Sequence, residues 1–345
     1  MKFSTKITLW YQKNKRNFPW RESKDPYKIW LSEIILQQTR TAQGLPYYIS
    51  FTKHFPTVFD LAKADENDIL KLWQGLGYYS RARNLHFAAK YIVNELDGVF
   101  PENYKDLLSL KGVGDYTASA IASISYNEKC AVVDGNVYRV LARYFGIDTP
   151  INSGKGIKEF KSLATALLPK NHFGLHNQAI MDFGAMICTP KKADCDHCIF
   201  NDSCVALKEK KVAELPVKTS KIKIRKRYFN YIVLLSDNNN ISINKRTGKG
   251  IWQNLYEFPL IETASEINKN ELMKNETLIQ LVSDIKKVEL FNSKQIIHKL
   301  SHQHLHTKFW IIFTDEKIAD SIPLKNIQNY PFPTLINNFI SEFEV

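Results

Sequence analysis

The chain has 345 residues, 44% of them hydrophobic, enough for ordinary globular cores and for two domains rather than one. No apolar run is long enough for a membrane span, and the N-terminal MKFSTKITLWYQKNKR lacks a signal peptide's apolar core, so a cytoplasmic place is expected, beside the nucleoid in a bacterium. Lys and Arg exceed Asp and Glu by 47 − 35 = 12, and a pI near 9.2 points equally to a polyanionic partner or to a merely soluble basic protein.

Ile7, Leu9, Trp10 and Tyr11 predict a short helix over 5–17, broken by Phe18-Pro19-Trp20-Arg21. Asp25-Pro26 is a helix start, with Asp as cap and Pro at the first helical position, and the helix is expected to run from Tyr27 to about Gln43. Glu33 lies in it among Ile29, Trp30, Ile34 and Leu36, either as an ordinary helix glutamate whose head reaches water or held on the apolar face, where desolvation raises a carboxyl pKa toward the range of a general acid. Helical patterns follow at 45–54, 57–63, 66–74, 79–96 and 104–109. Leu76 to Arg83 joins a glycine turn, Tyr78 and Tyr79, and two arginines; this suits base stacking and phosphate contact, or a tyrosine core with solvated arginines.

Lys111-Gly112-Val113-Gly114 turns between two helical patterns, the second running from Tyr116 to about Tyr126. The two glycines permit positive φ and close approach, which makes either a plain interhelical turn or a grip in which the new helix offers unpaired N–H groups and a positive dipole end to a phosphate. Asp134 follows the apolar Ala131-Val132-Val133 and either caps the next helix or offers its carboxylate to chemistry. Helices are expected at 157–168 and 172–187, the second carrying Asn177, Gln178 and Asp182 among apolar residues. Four cysteines fall as Cys188-x6-Cys195-x2-Cys198-x5-Cys204, close enough to wrap one metal centre, either zinc or an iron–sulfur cluster. Cys130 reads as a small buried hydrophobe.

Residues 209–227 read as an exposed basic linker. Beyond it, strands are expected at Tyr228–Leu235 and Ile241–Lys245 with a turn at Asp237–Asn240, then an aromatic stretch from Trp252 to Pro259 and a helix at 271–287. Strands at Val288–Leu290, Ile296–Leu300 and Leu305–Thr314 follow, and a helix at Pro331–Phe343 ends the chain. His298, His302, His304 and His306 read as alternating strand side chains or as histidine metal ligands. The expected plan is 1–210 as a mainly α region with the cysteine loop 188–204, 211–227 as linker and 228–345 as an α+β domain.

Leu110-Lys111-Gly112-Val113-Gly114, Asp134-Gly135-Asn136-Val137 and the four cysteines resemble the helix–hairpin–helix DNA glycosylase superfamily, in which this cysteine spacing holds a [4Fe–4S] cluster. Trp30 to Thr39, Gly75 to Arg83, Val133 to Val137 and His298 to His304 resemble the adenine DNA glycosylases of the MutY type more closely, over nearly the whole chain. The endonuclease III relatives that cleave the strand carry a lysine where Tyr116 stands, and they end soon after the cysteines. The resemblance thus implies a monofunctional glycosylase rather than an endonuclease III-like lyase or an inert cluster-containing DNA-binding protein. It implies a monomer that hydrolyses the N-glycosidic bond of adenine opposite 8-oxoguanine or guanine in double-stranded DNA, as part of base excision repair.

By the same resemblance Glu33 is the acid and Asp134 its ionised partner, with Tyr116 and Asn136 assisting. Arg16, Trp20, Arg21 and Gln178 lie around the extruded adenine. Gln38 and Tyr78 enter the base stack, Thr39 and Leu76 approach the opposite base, Gln37 lies among the DNA contacts, and Gly112 and Gly114 hold a phosphate. The C-terminal part resembles Nudix hydrolases, but the glutamate-rich magnesium segment is missing, which implies binding without hydrolysis. Ser301 and His302 are the implied readers of 8-oxoguanine, with Leu300 where relatives often have Phe.

Overall fold

The apolar spacing of the first two hundred residues is helical, and helices are what they form. In the computed structural model, which describes residues 2–219, 224–236, 239–318 and 321–343, the chain runs α1 Phe3–Asn14, a 3-10 turn Pro19–Arg21, α2 Pro26–Leu36, α3 Thr41–His54, α4 Val58–Lys63, α5 Glu66–Leu72, α6 Ser80–Glu95, α7 Tyr104–Leu107, α8 Asp115–Ser125, α9 Gly135–Phe145, α10 Gly154–Ala166, α11 Phe173–Met186 and α12 Val205–Lys208. Two compact units result: Met1–Lys63 with Asn84–Ser220, and Ala64–Arg83 with Lys221–Val345.

In the first unit, the Asp25 side chain accepts the Tyr27 N–H at 2.9 Å and starts α2 with Pro26 behind it. Ile29 to Ile35 are all buried, so α2 has no solvent face. The helix expected to reach Gln43 stops at Leu36 because Gln38 takes a left-handed backbone (φ 55°) that no α-helix accommodates. Gln37, Gln38 and Thr39 therefore sit on a turn. Helices α1, α9 and α11 enclose a core of Ile7, Tyr11, Val137, Leu141, Ile180 and Phe183, where each large side chain contributes about 1.5–3 kcal/mol by burial. Phe200 stacks on Phe3 at 4.8 Å and fastens the cysteine loop to this core. Gly184 permits the close approach of α11 to α9: a Cβ there would stand 2.8 Å from the Asn136 Cβ. The stretch read as an exposed basic linker keeps Glu209, Lys210, Lys211, Glu214 and Lys218 exposed but is anchored at Leu215. Leu215 is buried, and its carbonyl accepts from Arg143 Nε at 3.0 Å. Residues 220–223 of that stretch lie outside the described residues.

The second unit contains β1 Arg225–Ser236, β2 Asn240–Ser242, β3 Asn244–Lys245, β4 Tyr256–Glu257, β5 Leu260–Thr263, α13 Lys269–Met273, α14 Glu276–Leu281, β6 Lys287–Leu290, β7 Ile296–Lys299, β8 Gln303–Thr314, β9 Ser321–Pro323 and α15 Thr334–Glu342. The central pair β1 and β8 is parallel, in register from Arg225↔Gln303 to Ser236↔Thr314. The sheet order is β6-β8-β1-β2-β9, with β5 added on β1 and β7 on β8. Both faces of the parallel pair are covered, as parallel strands require. Ile232, Leu234, Trp310 and Ile312 meet Leu272 and Leu278 on one side. Phe309 stacks on Phe339 of α15 at 4.2 Å on the other. The helix expected over 271–287 is two helices, each with an asparagine cap (Asn268 and Asn275), and Lys287 already belongs to β6. β2 folds back on β1 as expected, with Leu235 opposite Ile241; Asp237 and Asn238 of that turn lie outside the described residues.

Candidate active site

The hairpin before α8 needs glycine at one position, not two. Gly112 has φ 83°, and a Cβ there would stand 2.8 Å from the Asn84 Cβ. Gly114 is extended (φ −98°) and caps α8 without a side-chain hydrogen bond; a Cβ on it would meet no protein atom. This end of α8 thus faces open space with N–H groups uncapped by any side chain, the arrangement that receives a phosphate. Asp115, at the first helical position, is engaged by Lys161 (2.9 Å) and the Tyr104 hydroxyl (2.6 Å).

Behind the hairpin, Glu33 of α2, Tyr116 of α8 and Asp134 and Asn136 of α9 line one cavity of about 170 Å³. Arg16, Trp20, Arg21, Thr39 and Gln178 complete its wall. Gln37, Gln38 and Gly114 line an adjoining cleft that shares Glu33, Tyr116 and Asp134 with the cavity. Gln37 donates to the Thr117 hydroxyl at 3.2 Å.

Glu33 is buried, and desolvation lifts its pKa to about 7; the Tyr116 hydrogen bond and the charge of Arg21 pull it down, and Asp134 pushes it up. A carboxyl in this state exchanges a proton near neutrality. Tyr116 is itself pushed well above its ordinary range by burial and by the two carboxyls, so it remains a neutral phenol. Asp134 both caps α9 and faces the cavity. Its Oδ1 accepts the Asn136 N–H (2.9 Å) and the Val137 N–H (2.8 Å), and its Oδ2 accepts Asn136 Nδ2 (2.7 Å). Burial raises its pKa, and these three donors, which favour the ionised form, act against that rise. Asn177 pins the approach to Asp134 by accepting the Val132 N–H at 3.1 Å and donating to the Cys130 carbonyl at 2.7 Å. Cys130 is half-buried, with its thiol pushed up to about 11 by burial.

The far wall is organised by a residue that the sequence displayed without a role. Asp182 is fully buried and pairs with both Arg16 and Arg21. Arg21 also donates to the Tyr11 hydroxyl, whose own proton then goes to Gln178 Oε1 at 3.1 Å. That leaves the Gln178 amide N–H₂ as a donor group. Trp20 is buried and stacked on Phe18 at 4.7 Å.

The four cysteines gather beside α9. Burial first, then the charges of Cys188, Cys204 and Cys195, push the Cys198 thiol up to about 11. Phe200 N–H points at Cys198 Sγ (3.4 Å) and Arg143 Nη1 at Cys188 Sγ (3.4 Å). Arg139 links the loop to the cavity, donating to the Cys188 carbonyl (2.6 Å) and to Asn136 Oδ1 (2.9 Å). Among the described residues no three His, Cys, Asp or Glu side chains converge to hold a single metal ion.

In the second unit, Leu76, Tyr78, Ser301 and His302 line a cleft of about 410 Å³. The Tyr78 and Ser301 hydroxyls are hydrogen-bonded to each other. The tyrosine pair divides: Tyr79 is buried and bonds the Phe332 carbonyl at 3.2 Å, while Tyr78 is half exposed. Arg81 is buried against Trp73 and Tyr78 instead of solvated. His304 and His306 lie on β8, His298 on β7 and His302 in the turn between the strands.

Residues 31–164 match the HhH-GPD superfamily base excision DNA repair proteins, and residues 230–342 match the NUDIX domain. The adenine DNA glycosylase of Buchnera aphidicola subsp. Schizaphis graminum is 39% identical over 305 residues, covering 88% of this chain and 85% of the relative. This chain belongs to the adenine DNA glycosylase family. A second member, from Buchnera aphidicola subsp. Baizongia pistaciae, is 34% identical with 99% and 97% of the two chains covered. A solved thermostable thymine-DNA glycosylase superposes with a TM-score of 0.56 at 33% identity, covering 60% of this chain and 95% of that one. The chain is thus a DNA glycosylase, a hydrolase of base excision repair, with a helix–hairpin–helix region followed by a Nudix-like domain. No helix among the described residues is long and apolar enough to cross a membrane.

Proposed function

We propose that this glycosylase removes adenine paired with 8-oxoguanine or guanine in double-stranded DNA, acting as a cytoplasmic monomer by hydrolysis alone. The observation that carries this is a buried carboxyl poised near pH 7 sharing one cavity with a carboxylate held by three N–H donors. Breaking the adenine–sugar bond develops negative charge on the base and positive charge on the sugar, so the two carboxyls have different work, as in glycoside hydrolysis. Glu33 donates its proton to a ring nitrogen of the extruded base. Asp134, ionised, faces the sugar cation or adds to it, and water completes the exchange. Asn136 holds Asp134, and Tyr116 hydrogen-bonds Glu33. With a phenol at position 116, no amine is present there to form an imine with the sugar.

Arg16, Trp20, Arg21 and Gln178 surround the base. Gly112 and Gly114 hold a phosphate. Gln37, Gln38, Thr39, Leu76 and Tyr78 meet the duplex near the lesion, and Ser301 with His302 reads the oxidised partner. The functional plan is 1–210 for chemistry, 211–227 as connection and 228–345 for recognition. The test is single-turnover product formation on A·8-oxoguanine, A·G, A·T and T·G duplexes, with and without alkali. The expected order is A·8-oxoguanine, then A·G, with A·T and T·G inert and strand breaks only after alkali. Excision of thymine, or breaks without alkali, would remove the proposal.

Cys188, Cys195, Cys198 and Cys204 would hold a [4Fe–4S] cluster, which when bound supplies a positively charged iron centre that keeps four thiolates together. The donor set fits. Burial, then the charges of neighbouring cysteines, push up the thiols of Cys195, Cys198 and Cys204, N–H groups from Phe200 and Arg143 aim at two of the sulfurs, and a group of several irons would not require the sulfurs to converge on one point. Iron and sulfide analysis of the purified protein, with visible absorbance, tests this; zinc with no colour would refute it.

A further inference from the structure

Asp182 lies fully buried on α11, and two cations lean on it. Arg16 gives its backbone N–H (3.3 Å to Oδ2), Nε (3.0 Å to Oδ1) and Nη2 to the carboxylate. Arg21 gives Nη2 (2.8 Å to Oδ1) and Nη1 (3.3 Å to Oδ2). Both arginines line the cavity that holds Glu33. The groups facing Glu33 are the Tyr116 hydroxyl from α8, Arg21 from the 3-10 turn and Asp134 at the start of α9. Those facing Asp182 are Arg16, Arg21 and, from α1, Tyr11. An uncompensated cation in a desolvated wall stabilises a nearby carboxylate and so removes its proton. A cavity that needs a protonated acid beside two arginines therefore needs a counter-charge behind them.

We propose that Asp182 is a positioning residue that holds Arg16 and Arg21 against the cavity wall and, by offsetting their charge, keeps Glu33 available as a proton donor. The inference rests on the assignment of Glu33 as the acid. It makes the arginine–aspartate triad a setting for the pH range of catalysis and not only a brace for the wall.

The experiment is the pH dependence of single-turnover adenine excision for the unaltered protein, Asp182→Asn, Arg21→Gln and the double variant. Excision should decline with rising pH as Glu33 loses its proton. Asp182→Asn keeps the shape and removes the charge, so its decline should move to lower pH by about one unit, a roughly tenfold loss above both declines. Arg21→Gln, which removes the cation facing Glu33, should move the decline to higher pH, and the double variant should return toward the unaltered profile. A purely structural Asp182 would slow the reaction equally at every pH, leave the decline in place and make the double variant worse; that result overturns the inference. If Asp182→Asn does not fold, Arg21→Gln decides alone, and a decline that stays or falls refutes it. Glu33→Gln separates the two levels. Loss of excision there with an unmoved decline in Asp182→Asn sinks only the role of Asp182, whereas retained excision with the ordinary pH profile sinks the acid assignment and this inference with it.

Discussion

The Glu33 cavity and the Tyr78–Ser301 cleft differ in how they hold their polar groups. Glu33 in the cavity and Asp182 behind its wall are buried, and each is matched by hydrogen bonds or counter-charges. In the cleft Tyr78 is half exposed, Ser301 and His302 are exposed, and the Tyr78–Ser301 contact is a single pair of hydroxyls. Electrostatic interactions strengthen where water is absent. Substitutions in the cavity should therefore act on the rate by orders of magnitude, and substitutions in the cleft on preference by small factors.

The largest effect belongs to Asp134. Asp134→Asn keeps an oxygen for the helix cap but loses the charge that the proposed mechanism sets against the sugar cation. Excision should fall on the order of a thousandfold or more, while duplex affinity measured by anisotropy changes little, because phosphate contacts do not use this carboxylate. A normal rate in this variant would break the comparison at its strongest point.

Glu33→Gln comes next, with an expected loss of roughly a hundred- to a thousandfold and an opposite effect on stability. The folded pKa, about 7, lies above the unfolded value of 4.5. The folded state therefore binds the extra proton between those values, and stability from this group is present below pH 4.5 and lost as pH rises through 7. The glutamine variant escapes that loss. Its advantage in urea unfolding should be absent at pH 4, grow with pH and level off above pH 7 at on the order of 3 kcal/mol. A variant less stable than the parent at pH 8 would show that Glu33 is not held as a desolvated carboxyl.

Much of the cavity was legible because local signals carried it: the Asp25-Pro26 start, the apolar surroundings of Glu33, the glycine turn and the lone carboxylate at Asp134. The break after Leu36 was not, since Gln37-Gln38-Thr39-Arg40 contains neither glycine nor proline and the left-handed Gln38 is imposed from outside. The division of helix 271–287 rested on one asparagine cap in a polar stretch. Asp182 was visible as a charge among apolar residues, but its partners lie 161 and 166 residues away, beyond any spacing rule. Tyr78 and Tyr79 are adjacent, and only tertiary packing decides which one is buried.

Gly112→Ala should give a middle-sized effect. The residue is at φ 83° with Asn84 in the way. Strain of more than about 1 kcal/mol at the turn should weaken duplex binding several-fold on every sequence, matched or mispaired. A loss confined to one mispair would mean that the hairpin reads bases.

The smallest effects should come from the cleft, and they are the most specific. A hydroxyl pair at the surface contributes about 0.5–1.5 kcal/mol at most, so Ser301→Ala or Tyr78→Phe should lower the preference for A·8-oxoguanine over A·G by less than about tenfold. Excision from A·G should hold its rate, since neither hydroxyl lines the Glu33 cavity. Because the two hydroxyls bond each other, the double variant should lose little more than either single one, a non-additivity that independent contacts would not produce. Equal losses on both mispairs would instead assign these hydroxyls to the sugar–phosphate backbone, and the second unit would then supply affinity without discrimination.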